Sequence, residues 1–210
     1  MGSTKTSTVA DARRYHNATY SIDMGAARRF IHQVDLKGRK RIMDIGGGSG
    51  AYCIAAVKEH AGIRALVLDL PVVCEVTRDF LTENGVADRV EAQPCDFTRD
   101  PFPTDCDVAI MASNLPMYSR EMIASVIKKA HDALLPDGQM HLVGEMTNDE
   151  RTGPWGPAYW GLGQTVSDSL GLAHSEADVI GYFCAAGFTE VQLHEFIPGS
   201  LSRVTGTKAK

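Results

Sequence analysis

The sequence predicts an α/β fold with a doubly wound parallel sheet and an antiparallel hairpin at one edge of that sheet. Short apolar segments alternate with helix-like segments along residues 41–145. This is the pattern of parallel strands that crossover helices bury on both faces. Residues 188–208 instead contain two segments of alternating apolar and polar residues around the turn signal Pro198-Gly199. Such alternation is typical of half-exposed antiparallel strands.

Composition restricts the class of protein. The chain has 210 residues, of which 44% are hydrophobic and 22% are charged, a balance that suits one globular domain. We expect a flexible tail over residues 1–10 and a single domain over residues 11–210. The net charge of −5 argues against a nucleic-acid partner, because binding phosphates needs a basic face. The five cysteines form no C-x-x-C pair, and we find no secretory signal or membrane-length apolar window. We therefore expect a cytoplasmic protein without membrane contact.

Helices and strands are expected in turn along the first two thirds of the chain. A helical apolar stripe covers residues 10–34, and Gly25 is a candidate break within it. Pro71 suits the first turn of a helix, and Asn84-Gly85 suits the end of that helix. The predicted strands are Arg41–Ile45, Ala65–Asp69, Val90–Gln93, Asp107–Met111 and Met140–Glu145, and the other predicted helices are Tyr52–His60 and Glu121–Leu134.

The last third of the chain departs from this alternation. Residues 152–157 are rich in glycine and proline and predict a loop. Two helices are expected after this loop, over residues 160–170 and 176–186. The closing hairpin is expected to pair residues 188–194 with residues 201–208.

A glycine-rich segment, Asp44-Ile-Gly-Gly-Gly-Ser-Gly50, joins the first predicted strand to a helix. Glycines allow a sharp turn and a close approach of ligand to backbone, and the start of a helix offers free N–H groups. A dinucleotide fits this logic through its pyrophosphate, and so does S-adenosylmethionine. We favour S-adenosylmethionine because Asp44 suits its amino group and because dinucleotide domains rarely end in an antiparallel hairpin.

Two more acidic positions follow neighbouring predicted strands. Asp69 ends the second strand and suits the ribose hydroxyls of either cofactor. Asp96 and Phe97 follow the third strand and offer a polar and an apolar contact to an adenine. Ligands of open α/β sheets bind beyond the carboxyl ends of the strands. These residues therefore extend the predicted cofactor site.

Several motifs occur together in a fixed order. They are Asp44–Gly50, Leu68-Asp-Leu-Pro71, Cys95-Asp-Phe97, Ala133-Leu-Leu-Pro-Asp-Gly138 and Gly144-Glu145. The chain thereby resembles the catalytic domain of the plant caffeate-type and bacterial polyketide-type O-methyltransferases. The resemblance implies a Rossmann-like class I methyltransferase fold, with a seven-stranded sheet whose last strand is antiparallel. It also implies S-adenosylmethionine as cofactor and S-adenosylhomocysteine as product. The predicted cofactor residues are Asp44, Gly46, Gly48, Gly50, Asp69, Leu70, Asp96, Phe97, Ser113, Tyr15 and Thr19.

Two departures from the family pattern concern the substrate side. The family carries a large N-terminal dimerisation domain, whereas about 40 residues precede the glycine segment here. We therefore expect an open acceptor cavity, or one completed in a homodimer or by a separate partner subunit. The family's general-base histidine also has no counterpart, because its position is occupied by Pro116. Tyr118 stands where the family has tryptophan, and Glu145 matches the acid that flanks the base.

Without that histidine, we expect methyl transfer to depend mainly on how the protein aligns the acceptor with the methyl group of the cofactor. Proximity alone supplies roughly 7–11 kcal/mol, whereas a general base adds about 10²–10⁴-fold in rate. The predicted catalytic residues are Tyr118, His16, Glu145 and Asn114, with His141 and His174 as further candidate bases. No cluster of Asp and Asn ligands suggests a metal.

The sequence thus predicts methyl transfer to a small molecule, with an oxygen of an aromatic or carboxylate compound as acceptor. A second hypothesis keeps the cofactor for other chemistry, such as hydroxylation or decarboxylation. A third is a binding subunit whose partner supplies the missing domain, and dinucleotide oxidoreduction ranks last.

Overall fold

The computed structural model describes residues 8–166 and 170–210. The helices are α1 (Val9–Gln33), α2 (Ala51–Glu59), α3 (Pro71–Glu83), α4 (Arg120–Ala133), α5 (Trp155–Val166) and α6 (Glu176–Ala186), and Leu115–Met117 form a 3₁₀ turn. The strands are β1 (Arg41–Ile45), β2 (Arg64–Asp69), β3 (Val90–Pro94), β4 (Val108–Ala112), β5 (Gln139–Gly144), β6 (Met146–Thr147), β7 (His174–Ser175), β8 (Thr189–Ile197) and β9 (Leu201–Thr207).

Seven of the strands form one sheet in the order β3-β2-β1-β4-β5-β9-β8. β1, β2 and β3 pair in parallel, whereas β9 runs antiparallel to both β5 and β8. The predicted seven-stranded α/β sheet with an antiparallel last strand is confirmed. β9, the last strand of the chain, lies between β5 and β8, so β8 forms that edge of the sheet. The short parallel pair of β6 and β7 forms a second sheet that the sequence pattern does not predict.

The chain divides into two compact units. The first contains described residues 8–101 with Cys106–Val108, and the second contains Phe102–Asp105 with the described residues from Ala109 onward. That residues 11–210 act as a single domain stays a prediction.

Helix α1 of the first unit is continuous through Gly25, so the expected break there is wrong. Thr8 caps the helix, since its hydroxyl oxygen accepts a hydrogen bond from the N–H of Asp11 at 3.1 Å. Burial of Ala26, Ala27 and Phe30 on the face that follows stabilises the helix across the glycine. A flexible tail is predicted over residues 1–10. Residues 1–7 of it lie outside the described part of the chain, and residues 9 and 10 belong to α1.

The other elements of the first unit follow the prediction closely. β1 and β2 are almost entirely buried, as expected of inner strands in a parallel sheet. Pro71 occupies the first turn of α3, and Asn84 caps its C-terminus. Gly85 then adopts a left-handed φ of +67°, which glycine tolerates without steric cost.

Capping also determines the helices of the second unit. α4 begins after Ser119, whose hydroxyl oxygen accepts a hydrogen bond from the N–H of Met122 at 3.3 Å. α6 begins with a capping box in which Ser175 and Asp178 bond reciprocally to each other's backbone N–H.

Helix α5 begins at Trp155 rather than at residue 160, so the loop predicted over residues 152–157 is shorter than expected. Pro157 occupies the first turn of this helix, where its missing N–H would be unpaired in any case. The predicted helix end at residue 170 cannot be compared directly, because residues 167–169 lie outside the described part of the chain. Across residues 8–166 and 170–210, we find no helix with the length and apolarity needed to cross a bilayer.

Candidate functional site

The glycine segment of the first unit forms a tight turn between β1 and α2. The N–H of Gly46 donates a hydrogen bond to the carbonyl of Leu68 in β2 at 2.7 Å. Gly46, Gly48 and Gly50 all have left-handed φ angles, of +66°, +54° and +75°. Residues with a Cβ rarely adopt this conformation, so the turn requires glycine at these positions.

Asp69 anchors this turn from the end of β2. Its Oδ2 accepts a hydrogen bond from the N–H of Gly48 at 2.9 Å, and its Oδ1 accepts one from the N–H of Leu70 at 2.7 Å. Burial raises the pKa of Asp69, and these two backbone hydrogen bonds oppose the rise. An ionised carboxylate has lone pairs left after two such bonds, so Asp69 retains acceptor capacity toward a ligand.

Asp44 lies buried directly beneath the turn. A Cβ on Gly47 would fall 2.5 Å from its Cγ, so Gly47 is the residue that allows the backbone to pass over the carboxyl group. Burial raises the pKa of Asp44 to about 7, and repulsion from Asp69 and Asp23 adds to the rise, whereas the thiol of Cys53 opposes it. Within the described residues, Oδ1 of Asp44 has no hydrogen-bond partner.

Asp23 of α1 joins the other two carboxylates, and the sequence pattern did not identify it. Its Oδ2 accepts a hydrogen bond from the hydroxyl of Thr19 at 3.0 Å. Burial raises the pKa of Asp23, and the repulsion it exerts on Asp44 reflects their proximity. The only signal in the sequence is the spacing of Asp23 four residues after Thr19, which places both on one face of a helix.

His16 of α1 packs against the same turn. A Cβ on Gly48 would fall 2.5 Å from Cε1 of the imidazole. The ring is nearly buried, burial lowers its pKa, and its Nδ1 lacks a hydrogen-bond partner among residues 8–166 and 170–210. Tyr15 contacts it edge to face at 5.1 Å between centroids and is itself 59% exposed. The structure therefore groups His16 with the predicted cofactor residues.

Asp96 and Phe97 follow β3 in the same unit. Oδ1 of Asp96 accepts hydrogen bonds from the N–H and the hydroxyl of Thr98, at 3.0 and 2.6 Å. Its own N–H donates to Oδ2 of Asp100 at 2.8 Å. The side chain therefore orders its own turn, and Phe97 beside it is buried.

In the second unit, the end of β4 carries a strained backbone position. Ser113 has a φ of +60°, which is uncommon for a residue with a Cβ and is concentrated at functional sites. Its N–H donates to the carbonyl of Val143 at 2.9 Å. The side-chain amide of Asn114 donates to the carbonyl of Ala112 at 3.0 Å. These two hydrogen bonds stabilise the backbone directly after β4.

Pro116 and Tyr118, which the resemblance places in the catalytic segment, lie in and directly after the 3₁₀ turn. Pro116 is buried in the 3₁₀ turn, and Gly171 lies so close to its carbonyl oxygen that a Cβ there would overlap it. Tyr118 is half-buried. Its backbone carbonyl accepts a hydrogen bond from Nε2 of His174 at 3.0 Å.

His174 is fully buried, and both of its ring nitrogens have partners. Nδ1 lies 3.1 Å from the hydroxyl of Tyr182. Burial lowers the pKa of His174, which favours the neutral ring with its proton on Nε2, facing the Tyr118 carbonyl. The imidazole thus links β7 to the segment after β4 and is not an open base. Sequence reasoning considered His174 only as a base and missed this contact.

Glu145 follows β5 and combines burial with an unsatisfied oxygen. Burial raises its pKa, and its Oε2 has no hydrogen-bond partner in the described part of the chain. This combination is typical of acid–base groups at functional sites. His141, within β5 itself, lies in the core, with Nδ1 3.3 Å from Nη1 of Arg203.

Three aromatic residues of α5 are exposed in the second unit. Trp155 and Tyr159 stack at 5.0 Å between ring centroids and remain 77% and 61% exposed, and Trp160 is 56% exposed. Among the residues that the structure describes, no group of three or more His, Cys, Asp and Glu is arranged to hold a metal ion.

Comparison with known proteins identifies the family. A family model described as an O-methyltransferase domain matches residues 3–189. The 3-hydroxy-5-methyl-1-naphthoate 3-O-methyltransferase of Streptomyces sahachiroi is 31% identical over 185 residues, which are 87% of this chain and 53% of that protein. The L-tyrosine C(3)-methyltransferase of Streptomyces lavendulae is 31% identical over 129 residues, which are 61% of this chain and 35% of that protein.

The fold agrees with this match. The crystal structure of the S-adenosylmethionine-dependent methyltransferase SibL superimposes with a TM-score of 0.78 at 26% identity, covering 93% of this chain and 58% of that one. The predicted class I methyltransferase fold is therefore confirmed. The chain spans about half the length of the curated relatives it matches. This chain belongs to the O-methyltransferase domain family.

Proposed function

We propose that this protein is an S-adenosylmethionine-dependent methyltransferase that acts on a small molecule. The observation that carries the proposal is the cluster of three carboxylates, Asp23, Asp44 and Asp69, around a left-handed glycine turn. The family match and the names of the relatives support the same activity.

The charge of this cluster suits S-adenosylmethionine better than a dinucleotide. Three acidic side chains would repel a pyrophosphate, whereas they attract a ligand that carries an ammonium and a sulfonium group. Asp44, whose Oδ1 lacks a partner among the described residues, would bind the amino group. Asp69 would accept hydrogen bonds from the ribose hydroxyls.

The remaining cofactor residues are proposed from their positions. Asp96 and Phe97 would contact the adenine at the end of β3, and Gly46, Gly48 and Gly50 would let the ligand approach the backbone. Leu70, Ser113, Tyr15 and Thr19 remain proposed border residues. His16, with its unpartnered Nδ1 beside the turn, is better suited to the cofactor than to a role as general base.

When bound, the cofactor supplies a methyl group on a sulfonium sulfur that a nucleophile can displace. The protein's own task is then to orient the acceptor and to receive its proton. Alignment is worth roughly 7–11 kcal/mol. Glu145 is the proposed proton acceptor, because a carboxylate with a raised pKa is a better base near neutral pH. Tyr118 and Asn114, on the segment after β4, are proposed to orient the acceptor.

The proposed acceptor is an aromatic compound that bears a hydroxyl or carboxylate group. One relative is named for 3-O-methylation of a naphthoate and another for C(3)-methylation of tyrosine, so both act on aromatic molecules. The exposed rings of Trp155, Tyr159 and Trp160 could stack on such an acceptor. Because this chain covers only 53% and 35% of those relatives, we also propose that a homodimer or a partner subunit completes the acceptor site. The proposed location of the protein is the cytoplasm.

A second function is favoured by one observation. The resemblance places Pro116 at the position of the family's general base, and a proline side chain has no group that can accept a proton. The protein could therefore keep S-adenosylmethionine for a non-methylating reaction, such as hydroxylation or decarboxylation.

Two measurements test the proposal in sequence. Isothermal titration calorimetry with S-adenosylhomocysteine should give saturable one-to-one binding that Asp69→Asn weakens at least about tenfold. Incubation with S-adenosylmethionine and a panel of hydroxylated aromatic acids should release S-adenosylhomocysteine. Binding without release would favour the second function, and absence of binding would contradict both.

A further inference from the structure

Arginines lie at or directly before the first residue of three neighbouring parallel strands, β1, β2 and β3. Arg41 is the first residue of β1 and Arg64 is the first of β2, and these two residues pair in register. Ala65 pairs with Val90, and the N–H of Ala65 donates to the carbonyl of Arg89 at 3.0 Å, which places Arg89 beside Arg64. In-register residues of adjacent strands point to the same face, about 4.8 Å apart. The three arginines therefore form a row of neighbouring positions across the sheet.

This row lines a cleft of about 650 Å³ in the first unit. A fourth arginine, Arg78 of α3, also lines it, together with Leu66 and Leu81. The volume lies in the range of small-molecule sites, about 300–1,000 Å³. Asp88 and Glu91 are the acidic residues of the lining, so the four arginines leave the cleft with a net positive charge.

Backbone carbonyls hold three of the guanidinium groups in place. Arg64 donates to the carbonyl of Asp88 at 2.9 Å, Arg78 to that of Ala92 at 3.0 Å, and Arg89 to that of Val57 at 2.5 Å. In the part of the chain that the structure describes, none of these three arginines pairs with a carboxylate. Each guanidinium has five N–H donors, more than its bond to a backbone carbonyl uses.

The positive charge of this cleft stands out in an acidic chain. The protein has a net charge of −5, yet it concentrates four arginines in one place, where like charges on adjacent strands repel one another. An anion between them would relieve this repulsion, and a phosphate group matches the planar fork of arginine. The cleft includes the amino ends of β1 and β2, whereas the glycine turn follows the carboxyl end of β1. The two sites are therefore separate.

We propose that this arginine cleft binds a small molecule that carries a diphosphate group. Two linked phosphates can bridge neighbouring guanidinium groups of the row, whereas a single phosphate engages fewer of them. The apolar side chains of Leu66 and Leu81 provide a surface for the remainder of such a molecule.

Calorimetric titration of the purified protein with inorganic pyrophosphate tests this proposal. We expect saturable one-to-one binding that weakens as salt is added, and binding of orthophosphate at least about tenfold weaker. Arg64→Gln and Arg89→Gln should each weaken pyrophosphate binding at least about tenfold. Arg64→Lys keeps the charge without the fork and should fall between the wild type and Arg64→Gln.

Two controls make the result decisive. Arg28→Gln removes the same charge from an exposed position on α1 outside the cleft and should leave pyrophosphate binding unchanged. Titration with S-adenosylhomocysteine should give the same affinity in all variants, which shows that they are folded. Absence of pyrophosphate binding, its displacement by S-adenosylhomocysteine, or equal weakening in Arg28→Gln would overturn the proposal. Loss of S-adenosylhomocysteine binding in the wild-type protein would instead contradict the proposed function alone.

Discussion

The imidazole of His16 lies so close to Gly48 that a Cβ at this glycine would fall 2.5 Å from Cε1 of the ring. Two independent constraints therefore act on Gly48. One is its left-handed φ of +54°, and the other is the histidine that α1 packs against it. These constraints can be separated by experiment, because Gly38 has a φ of +83° and a Cβ on it would meet nothing within 4 Å.

Gly48→Ala should destabilise the protein more than Gly38→Ala. Placing alanine in the left-handed region costs about 1–2 kcal/mol at either position, and only Gly48 adds the steric overlap with His16. Denaturant unfolding of the two variants measures the difference in free energy of unfolding. His16→Ala should recover part of the loss caused by Gly48→Ala and none of that caused by Gly38→Ala. Equal losses in the two glycine variants would show that the histidine contact is not tight.

Asp44→Asn should have opposite effects on stability and on cofactor binding. Folding raises the pKa of Asp44 from 3.8 to about 7. Between these pH values, the folded protein therefore holds a proton that the unfolded chain has released. Stability contributed by this group therefore falls as pH rises from about 4 to about 7 and levels off above. Asp44→Asn should remove this decline and give a more stable protein at pH 8, on the order of a few kcal/mol.

The same variant should bind S-adenosylhomocysteine at least about tenfold more weakly at pH 8, because it lacks the charge proposed to hold the amino group. In the wild-type protein, affinity should rise between pH 6 and pH 8 as Asp44 ionises. Calorimetry in two buffers of different ionisation enthalpy should detect proton release at pH 6. A pH-independent affinity would contradict the proposed role of Asp44.

Glu145→Gln should slow methyl transfer by about 10²–10⁴-fold if this carboxylate receives the acceptor's proton. Because burial raises its pKa, the wild-type rate should fall as the pH drops through that raised value, where the base becomes protonated. The variant should lose this dependence and keep its affinity for S-adenosylhomocysteine. Retained activity would assign catalysis to alignment alone. The exposed Glu150 provides a matched substitution, Glu150→Gln, that should leave the rate unchanged.

His174→Ala should destabilise the protein by roughly 2–4 kcal/mol, since it leaves a cavity and removes two hydrogen-bond partners. Tyr182→Phe removes the hydroxyl that contacts both His174 and Arg120 and should cost about 1 kcal/mol. Burial lowers the folded pKa of His174 below 6.5, so its contribution to stability is complete above pH 6.5 and is lost as the pH falls toward the folded value. Unfolding measurements between pH 5 and pH 8 test both effects. A variant as stable as the wild type would show that the two contacts are weak.

Gly25→Ala should stabilise the protein by about 0.5–1 kcal/mol. Gly25 lies within the continuous helix α1, and nothing lies within 4 Å of a Cβ placed there. Alanine has the higher helix propensity and reduces the entropy of the unfolded chain. A loss of thermal stability would indicate a kink at this position in solution.

The order of elements and the glycine turn could be inferred from local patterns. Glycines 46, 48 and 50 were assigned to a turn because few other residues adopt its backbone angles, and they do have left-handed φ angles. Pro71 and Asn84 were assigned to the ends of a helix for similarly local reasons and lie at the ends of α3. The predicted start of α5 and the predicted break of α1 at Gly25 are wrong, because a glycine or proline in the sequence marks a break only when the surrounding packing permits one.

Local order along the chain therefore sufficed for the fold class, the glycine turn and the acidic residues near the carboxyl ends of β1 and β2. Folding was needed to bring Asp23 near Asp44, His16 onto Gly48 and His174 onto the Tyr118 carbonyl. It was also needed to align the arginines at the amino ends of β1, β2 and β3. The physical reason is that backbone angles and strand periodicity depend on a few adjacent residues. Burial, ionisation and hydrogen-bond partners depend instead on segments that are distant in the chain and meet only in the folded protein.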